Sequence, residues 1–164
     1  MSRLAARLVA LVAVLAALGV VALAGIGGYV YWNRVETNGE LQAREVLPKL
    51  ASDQLPHIFG YDYQTVERSL GEVYPLLTDD FRQRFSEQVT KTVIPEARKR
   101  QLVVQVNVVG AGMLAAQRTS GSVMVFMNLT YTDQSKQPVY EGSRVRVDYE
   151  KVGSDWKMQA INPI

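Results

Sequence analysis

An uncharged apolar segment near the start of the chain is long enough to cross a lipid bilayer. Residues 8–31, from Leu8 to Tyr31, contain no Asp, Glu, Lys or Arg. A helix rises about 1.5 Å per residue, so a segment of this length spans a hydrocarbon core of roughly 30 Å with some tilt. The segment predicts a single transmembrane helix, which leaves the residues after it to form the folded part of the protein.

The flanks of the segment predict its orientation. Arg3 and Arg7 precede it, whereas Arg34 on the other side is followed closely by two glutamates. Because basic flanks tend to stay in the cytoplasm, we expect residues 1–7 to be cytoplasmic and the chain after Trp32 to be extracytoplasmic. The predicted location is therefore the inner (plasma) membrane, crossed once.

A cleaved signal peptide is the alternative interpretation of the same segment. Residues 22–24 read Ala-Leu-Ala, a small-x-small pattern typical of a cleavage site. The apolar run continues past this site, however, and Tyr29, Tyr31 and Trp32 resemble the aromatic belt at a membrane boundary. These two observations favour an uncleaved anchor.

Small residues within the segment are spaced for close helix packing. The pairs are Ala13 with Ala17 and Ala24 with Gly28. Pairs of small residues four positions apart let transmembrane helices approach each other closely. We expect these positions, with Tyr29 and Trp32 at the boundary, to be the contact residues of the anchor. Lipid-facing positions without a helix partner are the alternative.

The composition of the rest of the chain excludes several classes of protein. Of the 18 Lys and Arg, two precede the anchor, and the other 16 face 16 Asp and Glu. A nucleic-acid-binding domain normally carries a basic excess. The chain has no cysteine and one histidine, His57, so neither thiolate chemistry nor a zinc site of the usual type is expected. No common catalytic motif is present, and we predict a protein without cofactor or metal that is not an enzyme.

The residues after the anchor first show the spacing of helices. Residues 32–60 are interpreted as a juxtamembrane helical linker, interrupted by Pro48. We expect Asp62 and Thr78 to cap the next two helices, the second of which ends at Pro95. The expected apolar positions are Leu41, Leu47 and Leu50 in the linker, Val66, Leu70, Val73 and Leu77 in the first helix, and Phe81, Phe85, Val89 and Val93 in the second.

The remaining residues alternate between apolar and polar side chains, as strands do. Four strands are predicted, at residues 102–109, 123–131, 139–150 and 156–162. Gly110 and Gly112 indicate a bend or bulge at the end of the first. Helices followed by sequential strands predict an α+β domain over residues 61–164, with helices packed on a curved four-stranded antiparallel sheet that encloses a conical hollow.

This layout resembles that of a known family. The sequences GYDY at 60–63, LTDDF at 77–81, VGAG at 109–112, GSVMV at 121–125 and WKM at 156–158 are similar to those of the Mce-associated membrane proteins of actinobacteria. The resemblance implies a cystatin-like cone, shared with nuclear-transport-factor-like proteins. It also implies an accessory subunit that stabilises or tunes an Mce-type lipid importer, with a YrbE-type permease and Mce proteins as partners.

Three other functions stay open. A VirB-type secretion-system assembly factor has the same layout of one anchor and one cone-shaped domain. An isomerase-like enzyme would use a buried Asp with Tyr or His partners in the hollow, although capping and packing are the simpler roles for these side chains. The candidates for that chemistry are Asp62, Tyr61, Tyr63 and His57. A lipid-binding module would instead line the hollow with Phe81, Phe85, Val125 and Met127.

Overall fold

The computed structural model describes residues 34–164. The predicted anchor at residues 8–31 lies outside these residues. So do its predicted contact residues, which are Ala13, Ala17, Ala24, Gly28, Tyr29 and Trp32. Within residues 34–164, no helix has both the length and the apolar composition needed to cross a membrane. Residues Gly39–Ile164 form one compact unit.

Helices occupy the first part of the described chain and an antiparallel sheet occupies the second. The helical part contains, in order, α1 (residues 34–59), β1 (Tyr61–Asp62), α2 (Val66–Gly71), a 3-10 turn (Tyr74–Leu76), α3 (Asp79–Gln88), a π-helical turn (Val89–Val93) and α4 (Ile94–Arg100). The long strands are β2 (Val103–Ala116), β3 (Ser120–Thr132), β4 (Pro138–Val152) and β5 (Asp155–Pro163). This order confirms the predicted α+β class.

The sheet is a meander in which each strand pairs with the next along the chain. The strand order is β1-β2-β3-β4-β5, so the four predicted strands are present and the short β1 adds a fifth. In β1, Tyr61 lies opposite Val104 of β2. The pairing of β2 with β3 slips between Val108 and Gly110, which confirms the predicted bulge.

Helix α1 is part of the hydrophobic core. The compact unit begins at Gly39, whereas the sequence pattern predicts a linker up to residue 60. The helix continues through Pro48, and its core-facing side chains recur every four residues and are completely buried. They are Ala43, Leu47, Ala51 and Leu55. Leu41, expected as an apolar contact, is 58% exposed. Two of the four contacts are alanines, whose small side chains let the helix lie close to the sheet.

A buried hydrogen bond joins α1 to the sheet. The Tyr149 hydroxyl donates to Gln54 Oε1 over 3.0 Å. Tyr149 is 1% exposed, and burial raises the pKa of its hydroxyl because the phenolate would lose its hydration. The pair therefore satisfies two buried polar groups and fixes the angular position of α1 over β4.

Two helix ends differ from those predicted. Asp62 does not cap α2. It lies in β1, and its Oδ1 accepts a hydrogen bond from the Gln64 N–H over 2.8 Å, while Thr65 precedes the helix. Pro95 does not end the second predicted helix, because α4 continues directly from the π-helical turn. The Ile94 N–H donates to the Val89 carbonyl, and Pro95 then sits in the first turn of α4, where no N–H is needed.

Thr78 precedes α3, as predicted, but its side chain does not cap the helix. Its hydroxyl oxygen is buried and makes no hydrogen bond to any residue of the described range. Its backbone N–H donates instead to the Met158 carbonyl of β5 over 2.9 Å. Thr78 therefore contributes to stability through its backbone hydrogen bond and through the packing of its side chain.

Replacing Thr78 by valine is expected to preserve or raise stability. Thr78→Val keeps the branched shape and removes a buried hydroxyl without a partner, so the free energy of unfolding should rise by about 0–1 kcal/mol. If the hydroxyl capped α3, the same substitution would lower the free energy of unfolding by about 1 kcal/mol. Urea unfolding of the full-length protein measures the difference. A clear loss of stability would show that the hydroxyl caps α3.

Candidate functional site: an apolar cleft

An apolar cleft opens between the helices and one face of the sheet. Its volume is about 440 Å³, within the range of small-molecule sites. Eight segments contribute to its walls, of which seven are helices or strands and the eighth is the π-helical turn. The lining residues are Ile58, Phe59, Tyr61, Leu70, Phe81, Phe85, Gln88, Val89, Val93, Val104, Leu129, Tyr131, Ile161 and Pro163.

The cleft lies where two hydrophobic clusters meet. The larger cluster packs α1 against the sheet and supplies Val104 and Leu129 to the lining. The smaller cluster packs α2 against the π-helical turn and α4, and it supplies Leu70 and Val89. Each cluster packs around its own buried residues, and the cleft is the space left between them.

The helical wall of the cleft is aromatic. The Phe85 ring lies 6.1 Å from the Phe81 ring, and its other neighbour, Tyr74, meets it edge-on at 6.3 Å and 85°. The Arg84 guanidinium lies 5.7 Å from the centre of the Phe81 ring, on which it stacks as a cation. These contacts hold the two phenylalanines in place, so the aromatic wall is present before any ligand binds.

The π-helical turn helps to keep the predicted apolar stripe on one side. Phe81, Phe85, Val89 and Val93 all line the cleft, which confirms that they share a face. Residues four apart drift around an α-helix, since one turn takes 3.6 residues. The turn that contains Val89 and Val93 is wider, with hydrogen bonds five residues apart, and it offsets part of that drift.

The polar groups of the cleft lining are neutral. Burial raises the pKa of the Tyr61 hydroxyl, an effect that the nearby Arg100 charge partly offsets. Burial also raises the pKa of the Tyr131 hydroxyl, with the negative charge of Glu141 adding to it. Both phenols therefore stay protonated at neutral pH and can donate hydrogen bonds. The side-chain amide of Gln88 is the third polar group.

Charged residues lie around the cleft and connect the surrounding elements. Arg98 of α4 forms an ion pair with Glu67 of α2 over 2.8 Å. Arg100 lies 3.5 Å from Asp133, in the turn between β3 and β4. Among the residues that the structure describes, no carboxylate, imidazole or ammonium group lines the cleft. The site is therefore suited to contact with apolar groups, with the phenols and the amide as hydrogen-bonding positions.

The structure separates the residues considered for acid–base chemistry. Tyr61 lines the cleft, but Asp62, Tyr63 and His57 do not. The Asp62 carboxylate accepts its hydrogen bond from Gln64, and the Tyr63 hydroxyl accepts one from the Gln64 side chain over 3.0 Å. His57 is exposed on α1.

Only some of the residues predicted to line a lipid-binding hollow line the cleft. Phe81 and Phe85 line the cleft, as expected, whereas Val125 and Met127 are at most 2% exposed and belong to the close-packed core. Sequence reasoning missed the contributions of α1 and β5, such as Phe59 and Ile161. Local periodicity carries no signal for them, because only the packing of distant elements brings them to the cleft.

Several solved structures share this fold. An IcmL-like type IV secretion system protein from Legionella pneumophila matches with a TM-score of 0.61 and 14% identity, over 74% of this chain and 93% of that one. The periplasmic domain of DotI gives 0.63 and 13%, over 73% and 94%. VirB8 of Agrobacterium tumefaciens gives 0.55 and 15%, over 68% and 84%. At these identities the likeness is one of fold: helices on a curled antiparallel sheet.

Sequence similarity connects the chain to a cell-envelope protein. The outer membrane protein Rv1973 of Mycobacterium tuberculosis is 24% identical over 137 residues, which cover 84% of this chain and 86% of that protein. The sequence matches no model of a known protein family. The similarity extends over most of both chains, so this protein is a distant relative of a membrane-associated protein of the envelope.

Proposed function

We propose that the protein is a non-catalytic subunit of a cell-envelope assembly, held at the membrane by its N-terminal helix, and that its cleft binds an apolar group of a partner protein. The chemistry of the cleft carries this proposal. Its lining offers aromatic and aliphatic surface with neutral phenols such as Tyr131, and no acid–base pair among the described residues. Such a surface favours binding over proton transfer.

The assembly that we propose is an Mce-type lipid importer, with a YrbE-type permease and Mce proteins as partners. Two observations support this choice. The sequence resembles the Mce-associated membrane proteins at residues 60–63 and 77–81, among others. The distant relative in Mycobacterium tuberculosis is an envelope protein and is similar over most of the chain. In this role the subunit stabilises or tunes the importer.

A VirB-type secretion-system assembly factor is the second candidate. The likeness in fold favours it, because an IcmL-like type IV secretion system protein and VirB8 both match this domain with TM-scores above 0.5. The two candidates differ in the proteins that must be bound, so one experiment separates them.

Purification of the full-length tagged protein in mild detergent, followed by mass spectrometry, tests the proposal. We expect a YrbE-type permease and Mce proteins to be recovered with it. Recovery of secretion-channel proteins would replace the importer by the second candidate. Recovery of the protein with no partner, or with bound lipid alone, would contradict the role of an assembly subunit.

A pair of variants on α3 tests whether the cleft makes the contact. Gln88 lines the cleft, while Gln83 is an exposed glutamine of the same helix that does not. Gln88→Arg places a charge that the partner must bury, so we expect recovery to fall by about tenfold, whereas Gln83→Arg should have little effect. Equal recovery with both variants would show that the partner binds elsewhere.

A further inference from the structure

The first residue of the compact unit lies against one turn of the sheet. A Cβ atom at Gly39 would overlap the Arg118 side chain and lie 3.1 Å from the Arg118 Cα atom, so the backbones of these two residues lie close together. Arg118 belongs to the turn between β2 and β3, at residues 117–119. The chain therefore enters the compact unit at the end of the sheet that carries this turn.

A second turn lies at the same end of the sheet. The Lys151 N–H donates a hydrogen bond to the Thr119 carbonyl over 2.8 Å, so the last residues of β4 lie beside the β2–β3 turn. The chain then reverses into β5 through Gly153, whose φ of 65° suits a tight turn. We call residues 117–119 and 151–157 together the proximal end.

The length of the chain keeps the proximal end close to the bilayer that the predicted anchor crosses. Residues 32–38 separate the anchor from Gly39, and even when fully extended they span no more than about 30 Å. The opposite end of the sheet carries the β3–β4 turn at residues 133–137, which we call the distal turn. The 13 residues of β3, which separate the two ends, extend about 40 Å. The short connection therefore holds the proximal end, and not the distal turn, next to the lipid.

The side chains of the proximal end are of the types found at membrane–water boundaries. Val152 is 48% exposed at the tip of the β4–β5 hairpin. Trp156 packs partly on the core and is half-buried, and the Lys151 ammonium lies 5.5 Å from the centre of its ring. Among the residues that the structure describes, neither Lys151 nor Lys157 forms an ion pair. Tryptophan and lysine together suit the headgroup layer, because each combines an apolar body with a polar tip.

The charge of the proximal end is weakly basic. Arg118, Lys151 and Lys157 are its basic residues, and Asp155 is its acidic residue. The adjacent Glu150, which lies directly opposite Lys157, adds a second negative charge. The balance of three basic to two acidic groups permits contact with lipid phosphates, which the two lysines can pair with.

A lipid surface fits the proximal end better than a folded partner does. A specific protein interface buries roughly 800 Å² on each partner around an apolar centre. Within the proximal end, the one exposed large apolar side chain is that of Val152. A bilayer requires no partner of complementary shape, and single exposed apolar side chains flanked by lysines can enter its headgroup layer.

We propose that the proximal end rests on the phospholipid surface, with Val152 in the headgroup layer and Lys151 and Lys157 paired with lipid phosphates. The contact orients the domain so that the distal turn points away from the membrane. No residue of the proximal end lines the cleft, so the lipid contact leaves the cleft free for a partner. This inference rests on the predicted anchor at residues 8–31, which the first experiment therefore reports separately.

Fluorescence quenching in vesicles tests the contact. The chain contains no cysteine, so a single introduced cysteine can be labelled with a fluorophore. Full-length Val152→Cys and, as the matched control in the distal turn, Gln137→Cys are placed in phosphatidylcholine–phosphatidylglycerol vesicles that contain lipids with nitroxide headgroups. We expect quenching at position 152 and little at position 137. Flotation with the vesicles reports the anchor, so a protein that floats without quenching at position 152, or with equal quenching at both positions, would overturn the proposal.

Substitution of the two lysines tests their role. Lys151→Gln combined with Lys157→Gln removes both charges, so the ratio of docked to undocked domain, from the fluorescence lifetimes of the label at position 152, should fall about tenfold. Lys136→Gln in the distal turn is the control and should leave the ratio unchanged. An unchanged thermal midpoint shows that each variant is folded. An unchanged ratio in the double variant would overturn the proposal, as would a label at position 152 that is shielded in native membranes but not in vesicles, because a partner protein would then cover this end.

Discussion

Leu47→Ala is expected to lower the free energy of unfolding by about 2–5 kcal/mol, the usual cost of removing a completely buried leucine side chain. Leu47 is 0% exposed and packs between α1 and the sheet. The surrounding side chains belong to rigid strands and cannot collapse fully into the space, so a cavity remains. Urea unfolding of the full-length protein, followed by circular dichroism, measures the loss.

Leu41→Ala is the matched control for this prediction. Leu41 belongs to the same helix but is 58% exposed, so its truncation should change stability by less than about 0.5 kcal/mol. The pair also tests the extent of the domain. If both substitutions had equally small effects, α1 would be a linker over the folded domain, and the compact unit would begin after it.

Gly121→Ala is expected to destabilise the protein by about 1–3 kcal/mol, because the added methyl group overfills the contact between α1 and the sheet. A Cβ atom at this position would overlap Leu47 Cδ1 and lie 3.3 Å from the Ala115 carbonyl oxygen. The Leu47 side chain is enclosed by the core, so α1 must move for the methyl group to fit. Thermal and urea unfolding both report the loss.

Gly112 supplies the control for Gly121. It lies in β2, and a Cβ atom there would have nothing within 4 Å, so Gly112→Ala should be neutral or slightly stabilising. The double variant Gly121→Ala with Leu47→Ala should lose less stability than the two single losses together, because the cavity left by Leu47 accepts the new methyl group. Strict additivity would show that Gly121 does not limit the approach of α1.

The ion pair between Arg98 and Glu67 contributes little to the stability of the protein. Arg98 and Glu67 form an exposed ion pair, and such pairs contribute about 0–1 kcal/mol each. Their importance lies in position, since this pair connects α4 to α2 on the helical side of the cleft. The apolar lining, rather than this outer charge, accounts for what the cleft can bind.

Periodicity within single segments was sufficient to predict most of the sheet. Alternation identified the four long strands, and glycine placed the bulge near Gly110. The spacing of Phe81, Phe85, Val89 and Val93 predicted their shared face, which lines the cleft. These features depend on neighbours a few residues away, and such patterns are visible in the sequence.

The position of α1 depends on the face of the sheet against which it packs, and the sequence of the helix carries no information about that face. Its buried stripe includes Ala43 and Ala51, which read as weak apolar positions until a sheet glycine, Gly121, allows close approach. Likewise, Asp is a residue type favoured at helix N-caps, but Asp62 lies in the sheet because β1 pairs with β2. In both cases the competing contact comes from more than forty residues away along the chain.

The sequence was sufficient for the α+β class and the order of strands, because each strand carries its own alternation. The anchor at residues 8–31, with its orientation and its packing residues, stays a prediction of the sequence. Only the assembled fold decided that α1 completes the core and that two clusters leave a cleft between them. These features arise from distances between segments, which side-chain packing sets and local patterns do not encode.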